Sequence, residues 1–115
     1  MKVVHYQDIV STRIDNEKAR GISGRVVIGS ADGAPFCMRV FEIEKDGHTP
    51  RHTHPWEHEI FFHNGQGQVY CRGEWHAVRP GSVAFVKENE EHQIKNAGGE
   101  PLIFVCLIPK GAPEL

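Results

Sequence analysis

Short apolar runs broken at near-regular intervals by turn dipeptides constrain this chain more than any other feature. Asp32-Gly33, Asp46-Gly47, Asn64-Gly65, Arg72-Gly73, Pro80-Gly81 and Gly98-Gly99 punctuate it. Glycine reaches positive φ without a Cβ clash, so such pairs mark turns. Between them the sequence predicts strands at 25–28, 36–44, 58–63, 68–71, 75–78, 83–86, 92–95 and 102–108. No segment of twelve or more residues carries a convincing helical period. Many short strands at even spacing specify an all-β sandwich or barrel. With 115 residues there is material for one domain and one core. Residues 25–115 form the expected barrel. Residues 1–24 form an expected N-terminal arm, with a short strand over 3–10. Its polar part, 11–24, holds at most one helical turn, capped by Asp15 and stopped by Gly21.

Charge excludes two partner classes. Thirteen basic and fifteen acidic residues give a net charge of -2, with no basic surface for nucleic acid or membrane. The first residues lack the apolar run of a signal peptide. Cys37, Cys71 and Cys106 are far apart and sit in strand-like contexts. They read as buried free thiols, in keeping with a reducing cytoplasm.

The chemistry concentrates in His52-Thr53-His54-Pro55-Trp56-Glu57-His58. Side chains two apart on extended backbone share a face, so His52 and His54 can aim at one point. His58 keeps the same parity, and Pro55 supplies a bend. Neutral imidazole is the commonest protein ligand for transition metals. His92, on a different predicted strand, can close the set. We therefore expect one metal ion held by His52, His54, His58 and His92. Glu59 is a weaker ligand candidate because its parity is wrong. His5, His48, His63 and His76 read as surface or turn residues. Trp56 is placed to shield the ligand loop. Acid should release such an ion below the ordinary imidazole pKa of about 6.5.

Parity also predicts the surroundings. Ile60 and Phe62 continue the His58 face and should line the barrel below the ion. In the last strand Leu102, Phe104, Cys106 and Ile108 share one face, and Ile103, Val105 and Leu107 the other. Both are apolar, so the outer one must pack on the arm or on a second subunit. The expected substrate pocket is Ile60, Phe62, Phe104 and Cys106, with Arg39 as the polar exception; if the Arg39 face is the barrel interior, which parity alone does not fix, it is a counter-charge for an anionic substrate.

The chain resembles the cupins. Gly47, then His52-x-His54, three residues, His58, six residues and Gly65 is similar to the first cupin motif. The glycine-to-histidine gap is one residue shorter than usual, and His58 stands where most cupins carry glutamate. Glu57 lies one place short of that motif position. Gly81, five residues, Lys87-Glu88-Asn89, two residues, His92, three residues and Asn96 resembles the second motif. There Lys87 replaces the usual proline and Asn89 the usual glycine. Residues 51–61, Met38-Arg39 and Cys106-Leu107-Ile108-Pro109-Lys110 look like those of small single-domain manganese cupins. The resemblance implies a double-stranded β-helix (jelly-roll) barrel, a homodimer, and manganese, with iron second, held by four histidines. A zinc ion could close into a tetrahedron and leave no reaction site. Four neutral ligands leave an ion its full charge. If it is six-coordinate, two positions stay open to a small-molecule substrate. The first expected function is a metal-dependent dioxygenase or oxidase. The second is an isomerase or lyase working through an enolate, and the third a binding module without turnover. No residue stands out as the general base.

Overall fold

Period-two alternation builds the barrel wall. In β4 (His58–Asn64), His58, Ile60 and Phe62 are buried while Glu59, Phe61 and His63 are exposed. In β9 (Leu102–Pro109), Leu102, Phe104, Cys106 and Ile108 are buried, and Ile103, Val105 and Leu107 half-buried. The computed structural model describes residues 1–115. Its other strands are β1 (Thr12–Ile14), β2 (Arg20–Ile28), β3 (Phe36–His48), β5 (Gly67–Cys71), β6 (Glu74–Val78), β7 (Val83–Val86) and β8 (His92–Asn96). All pairings are antiparallel, in the order β6-β5-β8-β3-β9-β4-β7, with β2 along β3 and β1 on β2. No helix is long and apolar enough to cross a membrane, and all three cysteines are free.

β3 turns this sheet into a nearly closed barrel. Its first part pairs with β9, from Phe36 opposite Pro109 to Ile43 opposite Leu102. Asp46 then takes φ 66, and beyond it His48 pairs with Lys95 of β8. Asp46-Gly47 was expected as a turn and is instead a bend within one long strand. Gly47 is required there, because a Cβ would lie 2.6 Å from the Arg20 carbonyl oxygen of the neighbouring β2. The two halves close on one core, to which Phe62, Leu102 and Phe104 contribute from one side and Val69, Val78 and Ile94 from the other.

The arm differs from expectation. Residues 3–10 form no strand, only a 3₁₀ turn at Tyr6–Asp8. Residues 12–28 form a hairpin with no helical turn: Asn16, not Asp15, organises it, its side chain accepting from the backbone N–H of Lys18 at 2.8 Å and Ala19 at 3.0 Å. Gly21, with φ 65, is no helix stop but lies at a register shift in β2. That strand begins at Arg20 rather than residue 25, and Ala19 and Ile22 belong to the core. The first ten residues lie on the chain's own barrel through Lys2 Nζ on the Val27 carbonyl (2.9 Å) and Arg25 Nε on the Ile9 carbonyl (2.9 Å). Even so Val3, Val4 and Val10 stay exposed.

Candidate metal centre

His58 opens β4 and His92 opens β8, so strands of the two barrel halves aim both inward. His52 and His54 come from the loop between β3 and β4, which is not extended strand as spacing predicts. The loop is fastened along β8 instead. The Thr49 N–H donates to the Ile94 carbonyl (2.8 Å), and His52 and His92 exchange reciprocal backbone bonds of 3.1 Å. A third tie comes from the turn before β8. Asn89 takes φ 61, which asparagine tolerates better than most residues, and its N–H donates to the His54 carbonyl at 2.8 Å.

The nitrogens of His52, His54 and His92 lie within 4.8 Å of one another. His58 joins this trio through His54, with the two Nε2 atoms 2.8 Å apart. Two unprotonated nitrogens at that distance repel, so the contact needs a proton or a cation between them. Nitrogens each about 2.1 Å from one ion at right angles are about 3 Å apart, so the spacing fits a shared metal. Tautomers fit too. The Nδ1–H groups of His54 and His92 can donate to the carbonyls of Trp56 and Glu90, each at 2.8 Å, leaving Nε2 free to ligate. For His58 the same state puts its proton on Nδ1, which faces Cys106 Sγ at 3.2 Å and Arg39 Nη2 at 3.4 Å. Only sulfur can accept that proton. Cys106→Ala is therefore expected to weaken metal binding by about 10-fold or more, read by competition with a chelator.

Trp56 stacks on His54, ring centroids 4.2 Å apart and planes within 5°. Glu57 and Glu59 point away, lining an outer groove with Phe36 and Phe85. His5, His63 and His76 are exposed, and His48 is half-buried at the end of β3.

The histidines border a cavity of about 240 Å³. Arg39, Ile60, Phe104 and Cys106 line it. Phe62 does not: it is fully buried beneath, its ring 5.5 Å from that of Phe104. Ile22, Phe41, Ile94, Pro113 and Leu115 complete the wall. Ile94 shares the parity of His92 and Phe41 that of Arg39, so both were within reach of the same count. Pro113 and Leu115 follow the last strand and carry no periodic signal.

Burial sets the charge state. It holds His58 down to about 3, helped by Arg39 and the other histidines, and His52 down to about 4, helped by His92 and His54. His54 and His92 also fall below the ordinary value, again through burial first. His52 and His58 stay neutral, the form that ligates, well below the pH at which free imidazole protonates, and His54 and His92 are shifted in the same direction. Metal release is thus pushed below the range expected from an ordinary imidazole. The sign for stability follows from linkage. Below about pH 6.5 the unfolded chain binds protons that the folded, metal-free chain refuses, so stability falls as pH falls. The melting temperature of chelated protein is expected to drop steadily from pH 7 to pH 4. A flat profile would contradict imidazoles held neutral by the fold.

A cupin domain model matches residues 39–108. The structure of the polyketide cyclase RemF from Streptomyces resistomycificus superposes with a TM-score of 0.87 at 31% identity, covering 95% of this chain and 79% of that one. L-ectoine synthase from Hyphomonas neptunium is 23% identical over 101 residues, 86% of this chain and 73% of that protein. A protein described as a predicted oxalate decarboxylase, from Thermotoga maritima, gives a TM-score of 0.85 at 24% identity, covering 95% of this chain and 99% of that one. At that identity the likeness is one of fold.

Proposed function

We infer the function from one premise: this chain belongs to the cupin family. We propose a metal-dependent cupin enzyme that transforms a small organic molecule without oxidising it, at a centre ligated by His52, His54, His58 and His92. The observation that carries this reading is the 2.8 Å approach of the His54 and His58 Nε2 atoms beside His52 and His92, at the wall of a mostly apolar cavity. Resemblance favours manganese, with iron second. Held by these four histidines, a divalent cation would supply Lewis-acid chemistry toward a substrate carbonyl. The chain's own residues do the rest. Trp56 holds the His54 ring by stacking and by its carbonyl. Ile60, Ile94 and Phe104 shield the reacting end from water. No aspartate or glutamate lines the cavity, and its four histidines are the proposed ligands, so a departing proton goes to water.

The relatives weigh toward non-oxidative chemistry: one is named a polyketide cyclase and another an L-ectoine synthase, and neither name is that of an oxidase. The dioxygenase reading rests on the four neutral ligands, which leave an ion's charge uncancelled. One experiment divides them. Protein purified without added metal is analysed for its elements, then offered a panel of small carbonyl compounds under argon and under air. Turnover under argon supports the proposal. Oxygen uptake matched to product would select the oxidase, and saturable binding without turnover a binding module.

A homodimer in the cytoplasm belongs to the same reading. Three free thiols suit a reducing compartment. Phe36, Phe61, Val83 and Phe85 are all about half exposed or more on the outer faces of β3, β4 and β7, a patch that a two-fold partner would cover. Sedimentation at low micromolar concentration is expected to give twice 12.9 kDa. Phe85→Asp should give the monomer with its metal content intact. A wild-type monomer would remove the dimer from the proposal.

A further inference from the structure

Arg39 is the one lysine or arginine in the cavity wall, and no aspartate or glutamate lines that wall with it. It is 7% exposed. No carboxylate lies within ion-pair distance, since every ion pair of the chain involves other residues. The groups it touches are neutral. Nη2 contacts Cys106 Sγ at 3.1 Å and His58 Nδ1 at 3.4 Å, and Nη1 reaches the Glu114 backbone carbonyl at 3.4 Å. Nε has no partner at all. The Glu114 side-chain carboxylate, beside the lining residues Pro113 and Leu115, is turned away onto the Ser30 N–H (2.8 Å) and hydroxyl (3.1 Å). The face of Phe41, 4.9 Å from the guanidinium carbon, is the cation's only other support.

A buried charge without a counter-charge is costly, and this chain carries that cost in the wall of the cavity beside the histidines. Steering His58 does not need it, because Cys106 Sγ already accepts the Nδ1 proton. We propose that Arg39 recognises the substrate by charge: the substrate carries a carboxylate that pairs with this guanidinium, while its apolar body lies against Ile22, Phe41, Ile94 and Phe104. The long bond to the Glu114 carbonyl is the one a carboxylate oxygen replaces. A guanidinium fork matches a carboxylate in shape and in single charge, whereas a phosphate dianion would exceed the one cation present. This names the substrate class for the cavity of the proposed metal centre, and rests on that reading for its location.

The test uses 3-phenylpropanoate and 3-phenylpropanamide as probes, titrated calorimetrically into the metal-loaded protein and into the same protein after chelation. The acid is expected to bind about tenfold or more tightly than the amide in both states. Arg39→Gln should erase the preference, the two probes then binding with equal affinity. Arg39→Lys, which keeps the charge but not the fork, should retain part of it, and carries the test if the glutamine variant does not fold. Equal affinities in the wild type, including no measurable binding of either probe, would overturn the proposal. So would a preference that survives intact in either variant. A preference lost on chelation with Arg39 in place would assign the carboxylate to the ion, defeating this proposal while leaving the metal centre standing.

Discussion

Replacing His92 with alanine is expected to cost the protein its metal. Four ligands sharing roughly 10–16 kcal/mol of binding free energy carry about 3 kcal/mol each, so losing one costs on the order of a hundredfold in affinity. Elemental analysis after dialysis should find the variant largely metal-free, with turnover lost in parallel. The fold should survive, because the bonds that fasten the ligand loop to His92 are made by backbone. Circular dichroism and the melting curve check this. A fully loaded His92→Ala protein would contradict the assignment. His58→Ala sharpens it: an unchanged metal content there would leave a three-histidine centre of His52, His54 and His92.

Phe104→Ala should produce the largest loss of stability. Phe104 is 2% exposed and sits between Phe41 and Phe62, with ring centroids 5.6 Å and 5.5 Å away. It serves the core and the cavity wall at once. Truncating a buried phenylalanine costs about 3–5 kcal/mol, a large share of the roughly 5–15 kcal/mol that holds a domain folded. The urea midpoint should fall accordingly, and the enlarged cavity should accept bulkier substrates at little cost in metal content. A loss under about 1 kcal/mol would mean the ring is poorly packed.

The barrel was legible because most of its strands alternate and most of its turns carry glycine. The predicted runs from Phe36 onward coincide with β3 to β9 to within a few residues at most ends. What failed did so for local reasons. Asp46-Gly47 has the chemistry of a turn, yet the chain passes through it as one strand, because only a bent β3 can pair with both β9 and β8. In the arm, Asn16 makes the tight turn that Asp15 and Gly21 were expected to frame as a helix. Parity named the histidines, but the loop positions His52 and His54 by backbone ties to β8 and to Asn89, which no side-chain period encodes. It also gives a face and not a depth: Ile60 reaches the cavity, and Phe62, two residues further along the same face, lies below it. Tautomers and lowered pKa values come from burial, which spacing does not report.

The placement of His58 at the head of β4 and His92 at the head of β8 carries one more consequence. These strands belong to different halves of the barrel, joined mainly through the bend in β3. An ion shared by both rings would act as a removable cross-link, closing the stretch of chain between them much as a disulfide closes a loop. The loaded protein would then have to release its ion before the halves could part. Its resistance to heat and proteases would be governed by how fast the ion leaves, and a cell's metal supply would set the protein's lifetime as well as its chemistry.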